Sequence, residues 1–140
     1  MQRQRPVGWW VKRLDELLER GLDDVVAAEG LTRRHWQVLD ALAAGPAARA
    51  DLAAALASFA GPEEVDAVLA DLASRGWLDG DGTPSLTAEG HAAHGRLAAA
   101  VGAFRRRVTD GLTAEEYAQT VAGLARMVAN LEQGPGQPRR

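Results

Sequence analysis

A chain of 140 residues suits one domain and is too short for two independent cores. With 46% hydrophobic and 25% charged residues it is not globally disordered, and the absence of cysteine excludes disulfides, thiolate metal sites and cysteine nucleophiles together. A formal charge of −3, from 16 basic and 19 acidic residues, requires any nucleic-acid-binding face to be local. No apolar run approaches the ~18 residues of a membrane helix. No apolar core follows Met1 to Val7 either, so a cytoplasmic protein without membrane contact is expected.

From Trp10 to Val26, apolar residues recur at Trp10, Leu14, Leu17, Leu18, Leu22, Val25 and Val26. These spacings of three and four predict a long amphipathic helix with that stripe inward. Gly30 stands where a left-handed C-terminal cap is usual. Thr32 is the expected N-cap of a second helix, which turns Trp36, Leu39 and Leu42 inward and stops at Gly45-Pro46. A short third helix is expected around Leu52 to Leu56. A fourth begins at Gly61-Pro62, with Pro62 at the first helical position, and buries Val65, Val68, Leu69 and Leu72 before ending at Arg75-Gly76.

Trp77-Leu78 and Ser85-Leu86 are short strand candidates separated by the turn signal Asp79-Gly80-Asp81-Gly82. Thr87 caps a fifth helix with Ala93, Leu97, Val101, Phe104 and Val108 on one face. Thr113 and Glu116 fit a capping box for a sixth, with Tyr117, Val121, Leu124, Val128 and Leu131 inward. Residues 133–140, rich in Gly and Pro, are expected to be a disordered tail.

Three segments, taken together and in this order, resemble the MarR family of winged helix-turn-helix regulators. They are Leu31-Thr32-Arg33-Arg34-His35-Trp36-Gln37-Val38-Leu39, Leu69-Ala70-Asp71-Leu72-Ala73-Ser74-Arg75-Gly76-Trp77-Leu78, and Leu86-Thr87-Ala88-Glu89-Gly90. The resemblance implies a mainly α fold: a winged helix-turn-helix with a short β-hairpin wing and flanking dimerisation helices. Residues 1–8 are then a flexible N-terminus and 9–132 the domain. Within it, 30–90 is the winged-helix core, and 9–29 and 91–132 are the dimerisation helices. A two-fold dimer would cover apolar stripes that one small core cannot, and would set two recognition helices about one DNA turn, ~34 Å, apart.

The implied function is a dimeric regulator that binds a double-stranded operator and answers to a small-molecule effector. The positions matching the family's DNA-reading surface are Glu63, Glu64, Asp66, Ala67, Ala70 and Asp71 on the fourth helix, with Arg49 and Arg75 as phosphate candidates. They depart from the family's pattern. Pro62 to Leu72 holds four acidic residues and no basic one, and the wing turn carries aspartates where the family has arginines. Carboxylates repel phosphates, and only a cytosine amino group offsets this at a base edge. An alternative is a divergent member with weakened DNA reading that serves as a small-molecule binder, heterodimer partner or pocket enzyme.

The effector pocket implied by the resemblance would draw on Trp9, Trp10, His35 and Trp36, whose aromatic walls suit a planar ligand; core packing is the competing reading of Trp10 and Trp36. His91 and His94 share a helical face, but no third metal donor is evident. No nucleophile–base arrangement or phosphate loop stands out, so neither catalysis, cofactor nor metal is expected.

Overall fold

The computed structural model describes residues 4–79 and 82–135. Within them lie six helices: α1 (Val7–Ala27), α2 (Arg33–Ala43), α3 (Arg49–Ala55), α4 (Pro62–Ser74), α5 (Ala88–Val108) and α6 (Ala114–Gln133). They form two compact units, Met1–Phe104 and Arg105–Arg140, so the boundary falls near the end of α5.

In the first unit α2 is central. It packs on α1 and α4, and α3 packs on α4. Trp36, Leu39 and Leu42 are buried as the periodicity requires, and Val38 is buried too, because α2 is flanked on more than one side. Val65, Val68, Leu69 and Leu72 of α4 meet them in one core, which Leu97 and Val101 of α5 complete. Thr32 caps α2 through a capping box in which His35 stands where Glu or Gln is usual. Pro62 is at the first position of α4, where its missing N–H leaves no bond unmade.

The stripe on α1 behaves differently from its sequence reading. Only Val26 is buried, and Leu22 and Val25 pack partly against the core. Trp10, Leu14, Leu17 and Leu18 remain 36–45% exposed, since the elements packed on α1 reach only its C-terminal half. The helix also begins at Val7, inside the segment expected to be flexible. Pro6, extended at φ −66° and ψ 159°, offers its carbonyl to the N–H groups of Trp9 (3.0 Å) and Trp10 (3.4 Å). Near the other end, a Cβ on Gly21 would stand 2.2 Å from Cε1 of Phe104, so glycine here lets the Phe104 ring lie against α1.

The wing is minimal. Leu78 and Leu86 form an antiparallel bridge, flanked by Asp79 N–H to Ser85 O at 2.9 Å and Thr87 N–H to Trp77 O at 2.9 Å. The segment after α2 joins it through Ala47 N–H to Pro84 O at 3.1 Å. Gly80 and Asp81 of the turn lie outside the described residues. Thr87 ties the wing to α5: its Oγ1 donates to Gly76 O at 2.7 Å and accepts from Gly90 N–H at 3.1 Å. Gly90 passes so close to the strand that a Cβ there would be 2.2 Å from the Trp77 carbonyl oxygen.

In the second unit, Thr113 and Glu116 make the expected capping box, with Glu116 N–H to Thr113 Oγ1 at 3.0 Å and Thr113 N–H to Glu116 Oε1 at 2.9 Å. α6 nevertheless buries none of its residues. Tyr117, Val121, Val128 and Leu131, read as inward, are 46–84% exposed. Gln133 closes α6, and residues 136–140 of the expected tail lie outside the described residues.

Candidate nucleic-acid interface

The burial pattern of α4 fixes what it shows. With Val65, Val68, Leu69 and Leu72 buried, the 3.6-residue period turns Glu63, Asp66, Ala67 and Ala70 outward. Glu64 and Asp71 lie on the flank toward α2. Glu63 and Glu64 occupy the first turn, where negative charge complements the helix dipole. Of the six α4 positions the sequence assigns to a reading surface, four face outward while Glu64 and Asp71 lie to the side, and all six are acidic or apolar.

The acidity is largely partnered within the chain, which the sequence did not disclose. Arg49 Nη1 of α3 lies 3.4 Å from Asp66 Oδ1. Arg75 Nε donates to Asp71 Oδ2 at 2.9 Å, and its Nη2 donates to Gly30 O at 3.3 Å. Arg34 Nε is 3.4 Å from Glu64 Oε2, an ion-pair distance without hydrogen-bond geometry. Its Nη2 donates to Phe59 O at 2.8 Å and its Nη1 to Gln37 Oε1 at 3.1 Å. Arg34 therefore fastens α2 to the turn before α4, a role nothing local in its sequence announces. Arg105, Arg106 and Arg107 occupy the last turn of α5, where positive charge also suits the dipole.

His35 is held from both sides. Thr32 N–H donates to its Nδ1 at 3.2 Å, and Nε2–H on the other side of the ring donates to Asp71 Oδ2 at 2.8 Å. Asp71 thus accepts from His35 and Arg75 on one oxygen. The Arg75 and His35 hydrogen bonds hold its carboxyl below the ordinary value of 3.8, against a smaller opposing effect of burial. A folded-state pKa lowered in this way gives stability that is full above pH 3.8 and is lost as pH falls through the folded value. Asp71→Asn is expected to lower unfolding stability by about 1 kcal/mol at neutral pH, since the site is part-exposed. The difference from the parent should shrink below pH 3.8, which denaturant titrations across pH would measure. A gap that stayed constant down to acid unfolding would refute the assignment.

The aromatic candidates do not assemble within one chain. Trp9 and Trp10 meet edge to face at 4.8 Å, with Arg5 over the Trp9 ring at 4.3 Å and Trp10 Nε1–H on Arg5 O at 3.1 Å. Sixteen residues of helix, ~24 Å, separate Trp10 from Val26, whose side chain shares the core with Trp36. Trp36 and His35 diverge by the ~100° between neighbours on a helix. Trp36 is buried and stacked on His94 of α5 at 5.4 Å and 3°, while His35 faces α4. His94 Nε2 lies 2.9 Å from Asp40 Oδ1 and His91 is exposed, and no group of three metal-ligating side chains occurs among the described residues. A shallow cleft of about 250 Å³ opens between α2 and α4, lined by Thr32, Arg34, His35, Glu64, Ala67 and Val68.

Three helices around α2 with a bridge-paired wing after α4 define a winged helix-turn-helix protein. No protein-family model matches the sequence, and no curated protein matches it. Solved structures do. The *Mycobacterium tuberculosis* MarR family protein Rv2887, in complex with DNA, is 26% identical, covers 89% of this chain and 98% of its own, and superposes with a TM-score of 0.72. The same protein in complex with p-aminosalicylic acid is 25% identical over 88% of this chain and 98% of its own, with a TM-score of 0.67. The reduced form of MarR from *E. coli* shares the fold at 22% identity, 88% and 93% coverage, and a TM-score of 0.69. The chain thus shares the winged helix-turn-helix fold of these MarR-family structures.

Proposed function

We propose that this protein is a DNA-binding transcriptional regulator and not an enzyme, working as a homodimer that presents two α4 helices to a short, roughly palindromic operator. The observation that carries the reading is the outward face of α4, set beside Arg49 of α3 in a fold that a relative uses in complex with DNA. Glu63, Glu64, Asp66 and Ala67 would lie toward the groove, with Arg49 and Arg75 toward the backbone. Arg75 is the less available of the two, being bonded to Asp71 and Gly30.

The dimer reading rests on the rows of exposed large apolar side chains on α1 and on α6, the kind of surface that marks an interaction site. The effector reading rests on the p-aminosalicylic acid bound by Rv2887 and on the aromatic residues of α1 and α2. A small aromatic ligand would engage His35 and Trp36 on α2, with Trp9 and Trp10 contributed at the subunit seam. Its binding would alter the spacing of the two α4 helices.

Fluorescence anisotropy on a duplex from upstream of the protein's own gene tests the reading, with a scrambled duplex as control. Submicromolar binding that exceeds the scramble and weakens steeply with salt is expected, and p-aminosalicylic acid should weaken it. Absent or equal binding on both duplexes, from a folded protein, would overturn the regulator reading. The small-molecule binder or heterodimer partner would then take its place.

A further inference from the structure

The three arginine–carboxylate pairs on α4 are not equivalent. Arg34 and Arg75 are each fixed by further bonds to backbone carbonyls, of Phe59 and Gly30, and their side chains are only 26% and 33% exposed. Arg49 has Asp66 as its recorded partner, and the two side chains are 60% and 63% exposed. An ion pair in that setting is weak and exchangeable. The pair also sits where the fold turns its reading face outward, with the cation at the start of α3 and the anion on the outward face of α4.

We infer that Asp66 acts as an internal phosphate mimic: it holds Arg49 on α4 and withholds it from the DNA backbone, so that Asp66 lowers affinity for every duplex alike. This rests on the DNA-binding reading above and adds the residue that limits it. Arg49 cannot serve Asp66 and a phosphate fully at once, and a carboxylate on the outward face also repels the backbone directly. Repulsion alone would act with or without Arg49. Withholding requires Arg49.

The test is a salt series of duplex-binding titrations on the full chain with Asp66→Asn, Arg49→Ala and the double variant Asp66→Asn/Arg49→Ala, circular dichroism confirming each fold. Asp66→Asn should bind specific and scrambled duplexes about three- to tenfold more tightly, and its log–log salt slope should steepen by about two, as one phosphate contact is added in each subunit. Measured against Arg49→Ala, the double variant should lose the extra slope and most of the gain, leaving only the direct repulsion. An undiminished gain over Arg49→Ala would overturn the latch in favour of simple repulsion. Weaker binding by Asp66→Asn, confined to one base pair of the operator, would overturn it in favour of a carboxylate that reads a cytosine. If the parent binds and Asp66→Asn binds identically, the latch fails while the regulator reading stands. If neither binds any duplex, both fail.

Discussion

Gly90→Ala should lower the stability of this protein by about 3 kcal/mol, the upper part of the range for forcing atoms into filled space. Helix propensity argues the other way, since exchanging glycine for alanine in a helix favours folding by up to about 1 kcal/mol. Packing decides the sign. The new Cβ would meet the Trp77 carbonyl oxygen at 2.2 Å and the Trp77 carbonyl carbon at 3.1 Å. Those are backbone atoms, and the same carbonyl accepts the Thr87 N–H at 2.9 Å, so the strand cannot withdraw without losing the bond that seats the wing on α5. Gly95→Ala on the same helix is the control, for a Cβ there meets nothing within 4 Å and should stabilise by roughly the propensity difference. Denaturant unfolding of both variants measures the contrast. A stabilised Gly90→Ala would show that the close approach of α5 to the wing is wrong.

Leu14→Glu combined with Leu17→Glu is expected to convert the proposed dimer to a monomer and to reduce operator affinity by at least about a hundredfold, the typical benefit of joining two half-site contacts in one molecule. Both side chains are more than 40% exposed on the chain alone, so the charges would not disturb the core around Val26 and Leu39. In a dimer seam they would place uncompensated carboxylates in an apolar interface. Light scattering reads the mass and far-ultraviolet circular dichroism reads the fold. An unchanged dimer mass would remove α1 from the seam and leave α6 as the remaining uncovered face. A monomer with undiminished operator affinity would separate dimerisation from DNA binding.

The acidic face of α4 has a different meaning once its partners are known. By sequence, four carboxylates on a reading helix argue against DNA. In the fold, Glu64, Asp66 and Asp71 each have an arginine within ion-pair distance, two of them doing structural service between α2 and its surroundings. The chain thus joins α4 to its neighbours through carboxylates whose charge is met by arginines of the same chain.

Local pattern carried the six helices, their caps, the inward rows of α2 and α4, and that of α5 through Val101, because periodicity and capping act among residues no more than four or so apart; Val108, placed on the same α5 face, is 40% exposed. Thr32, Thr113 and Thr87 cap as their spacing requires, and Val65, Val68, Leu69 and Leu72 are buried as their period requires. Tertiary structure alone decided which stripes found a partner. Amphipathicity reports that a face avoids water without saying what covers it, so the stripes of α1 and α6 read the same as that of α4. It also decided the contacts that span tens of residues: His35 with Asp71, Arg34 with the Phe59 carbonyl, Phe104 against Gly21, and Gly90 beneath Trp77. Those depend on how helices cross, and no local spacing encodes a crossing.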